Sequence, residues 1–200
     1  MLTAFALVAA LAVQSDVQRT APRPVAPVSA PIQDGPIATA STQAETASEV
    51  RLREALAYSN PLPRGAPTQD YPLVAWCDAL VSGHVRLGET LTDHVPEDLE
   101  IMRLGRLEAS DFRSALATAE PRQSAATKAA AREAATAATA RWTPLIAQTN
   151  EATRSQSFGL FFGLPGRCEH AARRIRANIT TPPATLDQVG LRSEGVDPAQ

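Results

Sequence analysis

Residues 71–94 read YPLVAWCDALVSGHVRLGETLTDH. Leu73, Cys77, Leu80, His84, Leu87, Leu91 and His94 alternate at spacings of four and three, the period of a helix that lays one face against partner helices. Advancing about 100° per residue, Trp76, Val81 and Gly88 fall beside that stripe. The arc expected to be buried is therefore wider than a two-helix seam and suits a bundle. Asp70 stands at the expected N-cap, and Pro72 lies near the first helical position, where its missing N–H costs nothing. The stretch reads as the central helix of an all-α domain, with one cysteine and one histidine on its inner face.

On its C-terminal side, Pro96 with Glu97, Asp98 and Glu100 makes a second helix start, because carboxylates favour the positive end of the helix dipole. Leu99, Met102, Leu107, Phe112 and Leu116 supply its expected apolar side. Gly105 weakens the middle and Pro121 interrupts the end, so one helix and two helices both fit. From Gln123 to about Thr149 the chain is alanine-rich and reads as a long helix, with Trp142, Leu145 and Ile146 as an apolar plug beside Pro144, where a kink is expected. Phe158 to Gly166, FGLFFGLPG, is apolar and broken by three glycines, and reads as a hydrophobic loop. It leads into an amphipathic helix, Arg167 to Ile179. Cys168, Ala171, Ala172, Ile175 and Ile179 share one side of this helix, and Arg167, Arg173, Arg174 and Arg176 the other.

The 16 prolines crowd before residue 73 and after residue 181, which leaves residues 70–180, about 110 residues, as a helical domain of three or four packed helices with one modest core. Residues 1–14, MLTAFALVAALAVQ, are too short to span a bilayer but match the apolar part of a signal peptide, although no basic residue precedes them and retention as an anchor is the other reading. Residues 15–69 form a Pro/Ala/Ser-rich linker, expected to be disordered apart from a short helix at 45–59, and 181–200 reads as a disordered tail.

Cys77 and Cys168 are the only cysteines. Each lies on the apolar face of an expected helix, and export would place them in an oxidising compartment, so an inter-helix disulfide is expected. Two buried thiols are the alternative. Neither cysteine has the partner spacing of a redox motif.

No catalytic, cofactor-binding or metal-binding set emerges. Gly-x-Ser-x-Gly is missing, and the glycines at 159, 163 and 166 match neither a phosphate loop nor a dinucleotide fingerprint. On one helix, Cys77, His84 and His94 lie on the order of 10–15 Å apart, too far for a shared ion. His84 is expected to be hydrogen-bonded inside the bundle. A net charge of −2 offers no field for nucleic acid. Phe158, Phe161, Phe162 and Leu164 either cap the bundle core or form an exposed docking patch.

These readings point to a periplasmic or secreted protein that is not an enzyme. Its expected role is structural or interactive, with an unidentified envelope protein or the membrane surface as partner. A small helical carrier of an apolar ligand or haem, built around His84, is the alternative.

Overall fold

The computed structural model describes residues 45–161 and 163–191. The expected signal peptide at 1–14, the linker as far as residue 44, Phe162 and the end of the tail at 192–200 lie outside the described residues. Every regular element among the described residues is helical, so this part of the chain is all-α, and it holds six α-helices where three or four were expected. They are α1 (Ala47–Ser59), α2 (Asp70–Glu89), α3 (Pro96–Ala119), α4 (Ala125–Ile146), α5 (Glu151–Gly159) and α6 (Arg167–Arg176). Short 3₁₀ turns follow at Glu120–Arg122 and Asp187–Val189. No helix among the described residues is long and apolar enough to cross a membrane.

The helix expected at the centre is there. α2 packs against α3, α4, α5 and α6, and 14 of its 20 residues are buried, so it is enclosed on most sides and not along one stripe alone. Leu73, Val74, Trp76, Cys77 and Leu87 are almost wholly sealed from solvent. Its start differs from expectation. Gln69 occupies the N-cap without a side-chain bond to the helix, and Asp70 is the first helical residue, with its carboxylate turned to other partners.

Two glycines of α2 explain how closely its neighbours approach. A Cβ on Gly83 would stand 2.0 Å from Trp142 Cδ1, and one on Gly88 would stand 2.6 Å from Phe158 Cε2. Glycine in a helix interior costs about 1 kcal/mol relative to alanine, a cost offset by letting an indole and a phenyl ring lie on the α2 backbone. On the α4 side the same economy of volume comes from Ala131, Ala134 and Ala138, all buried. Pro144 sits within the last turn of α4, which runs on to Ile146.

α3 is one helix through Gly105, and Pro121 falls in the 3₁₀ turn after it. Its inner face is the expected one in part: Met102 and Phe112 are buried and Leu116 packs against the core, but Leu99 and Leu107 do not join them. Met102, Gly105, Ala109, Phe112, Ala115 and Ala119 are buried, whereas Leu99 and Leu107 point outward at 53% and 57% exposure. The closest approach to α2 is at Gly105, which meets Val85 so closely that a Cβ there would lie 2.7 Å from Val85 Cγ2, while Met102 and Phe112 fill the wider space on either side.

The segment expected to be a hydrophobic loop begins as α5, which holds Phe158. Asn150 starts it, with Oδ1 accepting from Thr153 N at 3.0 Å, and Glu151 adds a carboxylate to its first turn. α6 stops at Arg176, three residues before the expected end. Asn178 adopts the left-handed conformation at φ 54°, and Ile179 N donates back to Arg174 O at 2.9 Å. The helix expected within the linker is α1, and it is docked: Ala55 is buried, α6 lies against α1, and the turn at Asp187–Val189 contacts it too. Ala184, in the segment read as tail, is likewise buried.

Cys77 of α2 and Cys168 of α6 have Cα atoms 6.1 Å apart and sulfurs at bonding distance, the arrangement of a disulfide across 91 residues of chain.

Candidate functional site

The aromatic cluster at one end of α2 grows from His84, the polar residue in the middle of the apolar stripe. Its ring is 4% exposed and Nε2 donates to the Phe158 carbonyl at 2.9 Å, which requires the proton to sit on Nε2. Phe158 stacks on the imidazole with centroids 4.4 Å apart and planes 16° apart. Phe161 lies 4.4 Å away on a tilted plane, and Trp142 of α4 lies at 5.7 Å. Trp142 and Phe161 also meet edge to face at 5.5 Å. The α5 C-terminus supplies the carbonyl because its last turn leaves such groups without helical partners.

Phe158 is thus a cap on the core. Phe161 and Leu164 are half-buried and pack against the core, and Leu160, at 59%, is exposed. The sequence reading of these residues left capping and docking open. Their placement among His84, Trp142 and the core accounts for Phe158, Phe161 and Leu164 as packing residues. Phe162 is outside the described residues.

Burial pushes the His84 imidazole below its ordinary range, while the bond to Phe158 pulls the other way. His170 of α6 is also lowered, first by burial and then by the Arg173 guanidinium beside it. With folded values below unfolded ones, both rings take up protons on unfolding. Their contribution is whole above the ordinary histidine value of about 6.5 and is lost as pH falls below it, with a slope of at most about 1.4 kcal/mol per pH unit for each ring. We expect urea midpoints to fall from pH 7 towards pH 5 and the fall to be shallower in His84→Gln, which keeps an N–H donor and cannot titrate. An unchanged slope in the variant would exclude His84 as a source.

The His84 Nε2 is held by a backbone oxygen and its ring is packed between the Phe158 and Phe161 rings, so the haem-ligand alternative finds no free nitrogen there at Nε2. His94 Nε2 bonds the Gly88 carbonyl at 2.9 Å in the same manner. Among the described residues no three His, Cys, Asp or Glu side chains gather in a way that could hold a metal ion.

A second feature lies on α3. Val95, Leu99, Leu104 and Leu107 are each at least half exposed, and Ile101 is 43% exposed. Ile101, Leu104 and Leu107 follow one another at i, i+3, i+6 and form a ridge on the outer surface. Both signs of charge flank it, in the ion pairs Glu100–Arg103 and Glu89–Arg106. Sequence reasoning put Leu99 and Leu107 inside and did not single out Val95, Ile101 or Leu104. The chain matches no family model, no curated protein and no solved structure.

Proposed function

We propose that this is an exported, non-enzymatic protein of the cell envelope that binds another protein through the outer ridge of α3. The observation that carries the reading is the ridge of Ile101, Leu104 and Leu107, 43–57% exposed on a well-packed domain, with Val95 and Leu99 also exposed at the start of the helix. A ridge at i, i+3 spacing fits the groove of a partner helix, which gives the partner its form: a helical segment with its own apolar stripe. The charge of α3 argues for protein over lipid. It carries Glu97, Asp98, Glu100, Glu108 and Asp111 against Arg103, Arg106 and Arg113, an excess of acid that an anionic membrane surface repels. Export is supported by the apolar segment at 1–14 and by the Cys77–Cys168 geometry, which suits an oxidising compartment.

The test places a photo-crosslinking residue at Leu104 in the native host, then measures binding of the recovered partner, purified, to the wild type and to Leu104→Glu/Leu107→Glu. The expected result is one discrete protein adduct and loss of binding in the variant, with folding stability changed by no more than about 0.5 kcal/mol. Adducts with lipid alone, or a variant that binds as well as wild type, would exclude the proposal. A variant that unfolds would mean the ridge serves the fold.

A further inference from the structure

Between α2 and α4, bounded also by the chain after α5, lies a cleft of about 290 Å³. Trp76 and Leu80 of α2, Trp142 and Leu145 of α4, and Phe161 make its walls, and Arg141 is its one charged lining residue. The Arg141 guanidinium is placed: its carbon sits 5.4 Å from the Trp76 ring centroid and Nη2 donates to the Arg64 carbonyl at 2.7 Å. That bond uses one of five donors. No acidic residue lines the cleft, and Arg141 makes no ion pair among the described residues.

Apolar walls and one cation without an ion-pair partner at the rim call for an amphiphilic anion. The volume is at the small end of ligand sites, about 300–1,000 Å³, which limits the apolar part to a medium chain.

We propose that this cleft binds a medium-chain carboxylate, its chain lying among Trp76, Leu80, Trp142, Leu145 and Phe161 and its carboxylate meeting Arg141. The site is separate from the α3 ridge, and its fate does not depend on the partner proposed there.

Trp76 and Trp142 are the only tryptophans, so intrinsic fluorescence reports on this cleft directly. The full chain is titrated with decanoate, decanol and decyltrimethylammonium, which share a chain length and differ in head-group charge. Decanoate is expected to saturate the signal at one equivalent and to bind roughly tenfold tighter than decanol, with the cation weakest. Arg141→Gln, at an exposed position, should bring decanoate to the level of decanol without altering the melting curve, and Arg141→Lys should keep part of the preference. Equal binding of the three probes, an unaltered preference in Arg141→Gln, or no binding on the order of 1 mM would each overturn the proposal.

Discussion

Reduction of the Cys77–Cys168 pair is expected to lower the unfolding free energy by roughly 4–5 kcal/mol, a large fraction of what a domain of this size possesses. The figure follows from the 91-residue separation, since a cross-link that spans most of the described chain removes a large share of the unfolded state's freedom. The loss should be local as well as global. α6 has only ten residues, too few to persist without tertiary support, and α1 rests on it. Urea titrations followed by circular dichroism with and without reductant, beside Cys77→Ala/Cys168→Ala, would measure it. A difference below about 1 kcal/mol would mean that the two sulfurs act as ordinary buried thiols, worth no more than their packing.

Removal of the Arg174 guanidinium should cost nearly as much. Arg174 lies on α6, 4% exposed, with Nη1 donating to Glu54 of α1 at 2.9 Å and Nε to Asp70 of α2 at 2.9 Å, while Nη2 donates to the Thr181 carbonyl. One side chain therefore joins three helices and the chain beyond them. Burial works to lower the guanidinium's hold on its proton, but Glu54 and Asp70 outweigh it and raise that hold. Tyr58 completes the group: its hydroxyl donates to Asp70 at 2.7 Å, and burial, with the Asp70 bond, pushes its phenol well up. Arg174→Met leaves Glu54, itself 8% exposed, as a buried carboxylate without its main partner, at a cost of about 3–5 kcal/mol. Glu54→Leu/Arg174→Met should recover most of that loss, because removing both charges also removes both desolvation penalties. Chemical denaturation of the two variants beside wild type checks this, and a single variant less than about 1 kcal/mol below wild type would refute the account.

Arg174 also illustrates how much of the molecule was open to reading. In periodicity it belongs with Arg173 and Arg176 on the solvated side of α6, and three arginines in four positions read as a charged surface. It is buried because α1 lies over α6, and the sequence carries no sign of where a short helix in a proline-rich stretch will dock. Once Glu54 and Asp70 converge on it, burial is tolerated. The acid that was expected to cap α2 is spent on this contact instead. α5 lay beyond the reading for a related reason: the glycines of FGLFFGLPG point to a loop, and the Asn150 cap that starts the helix stands eight residues before Phe158, outside that stretch.

The α3 helix shows the limit most plainly, since its leucines and its alanines offer two apolar faces. Hydrophobicity favours the leucines as core. At its closest approach to α2, Gly105 meets Val85, so small residues, Gly105, Ala109 and Ala115, go inside between Met102 and Phe112, and Ile101, Leu104 and Leu107 are left facing water. The candidate docking ridge is a product of that choice. For the same reason the Trp76–Trp142 cleft was invisible, although both tryptophans had been read as packing residues.

Periodicity, with helix propensity and start signals, sufficed for the all-α class and for α2 as the buried centre with His84 inside it, and with the presence of just two cysteines and a signal-like segment it pointed to the meeting of Cys77 with Cys168, because each depends on local spacing and on the need to bury an apolar face. Only the packed structure could choose between two apolar faces of α3, bury Arg174 and bring Arg141 to the mouth of a cleft. Those outcomes depend on the distances and volumes between helices far apart in the chain, and on which charges happen to converge there, and a single helix's pattern contains neither.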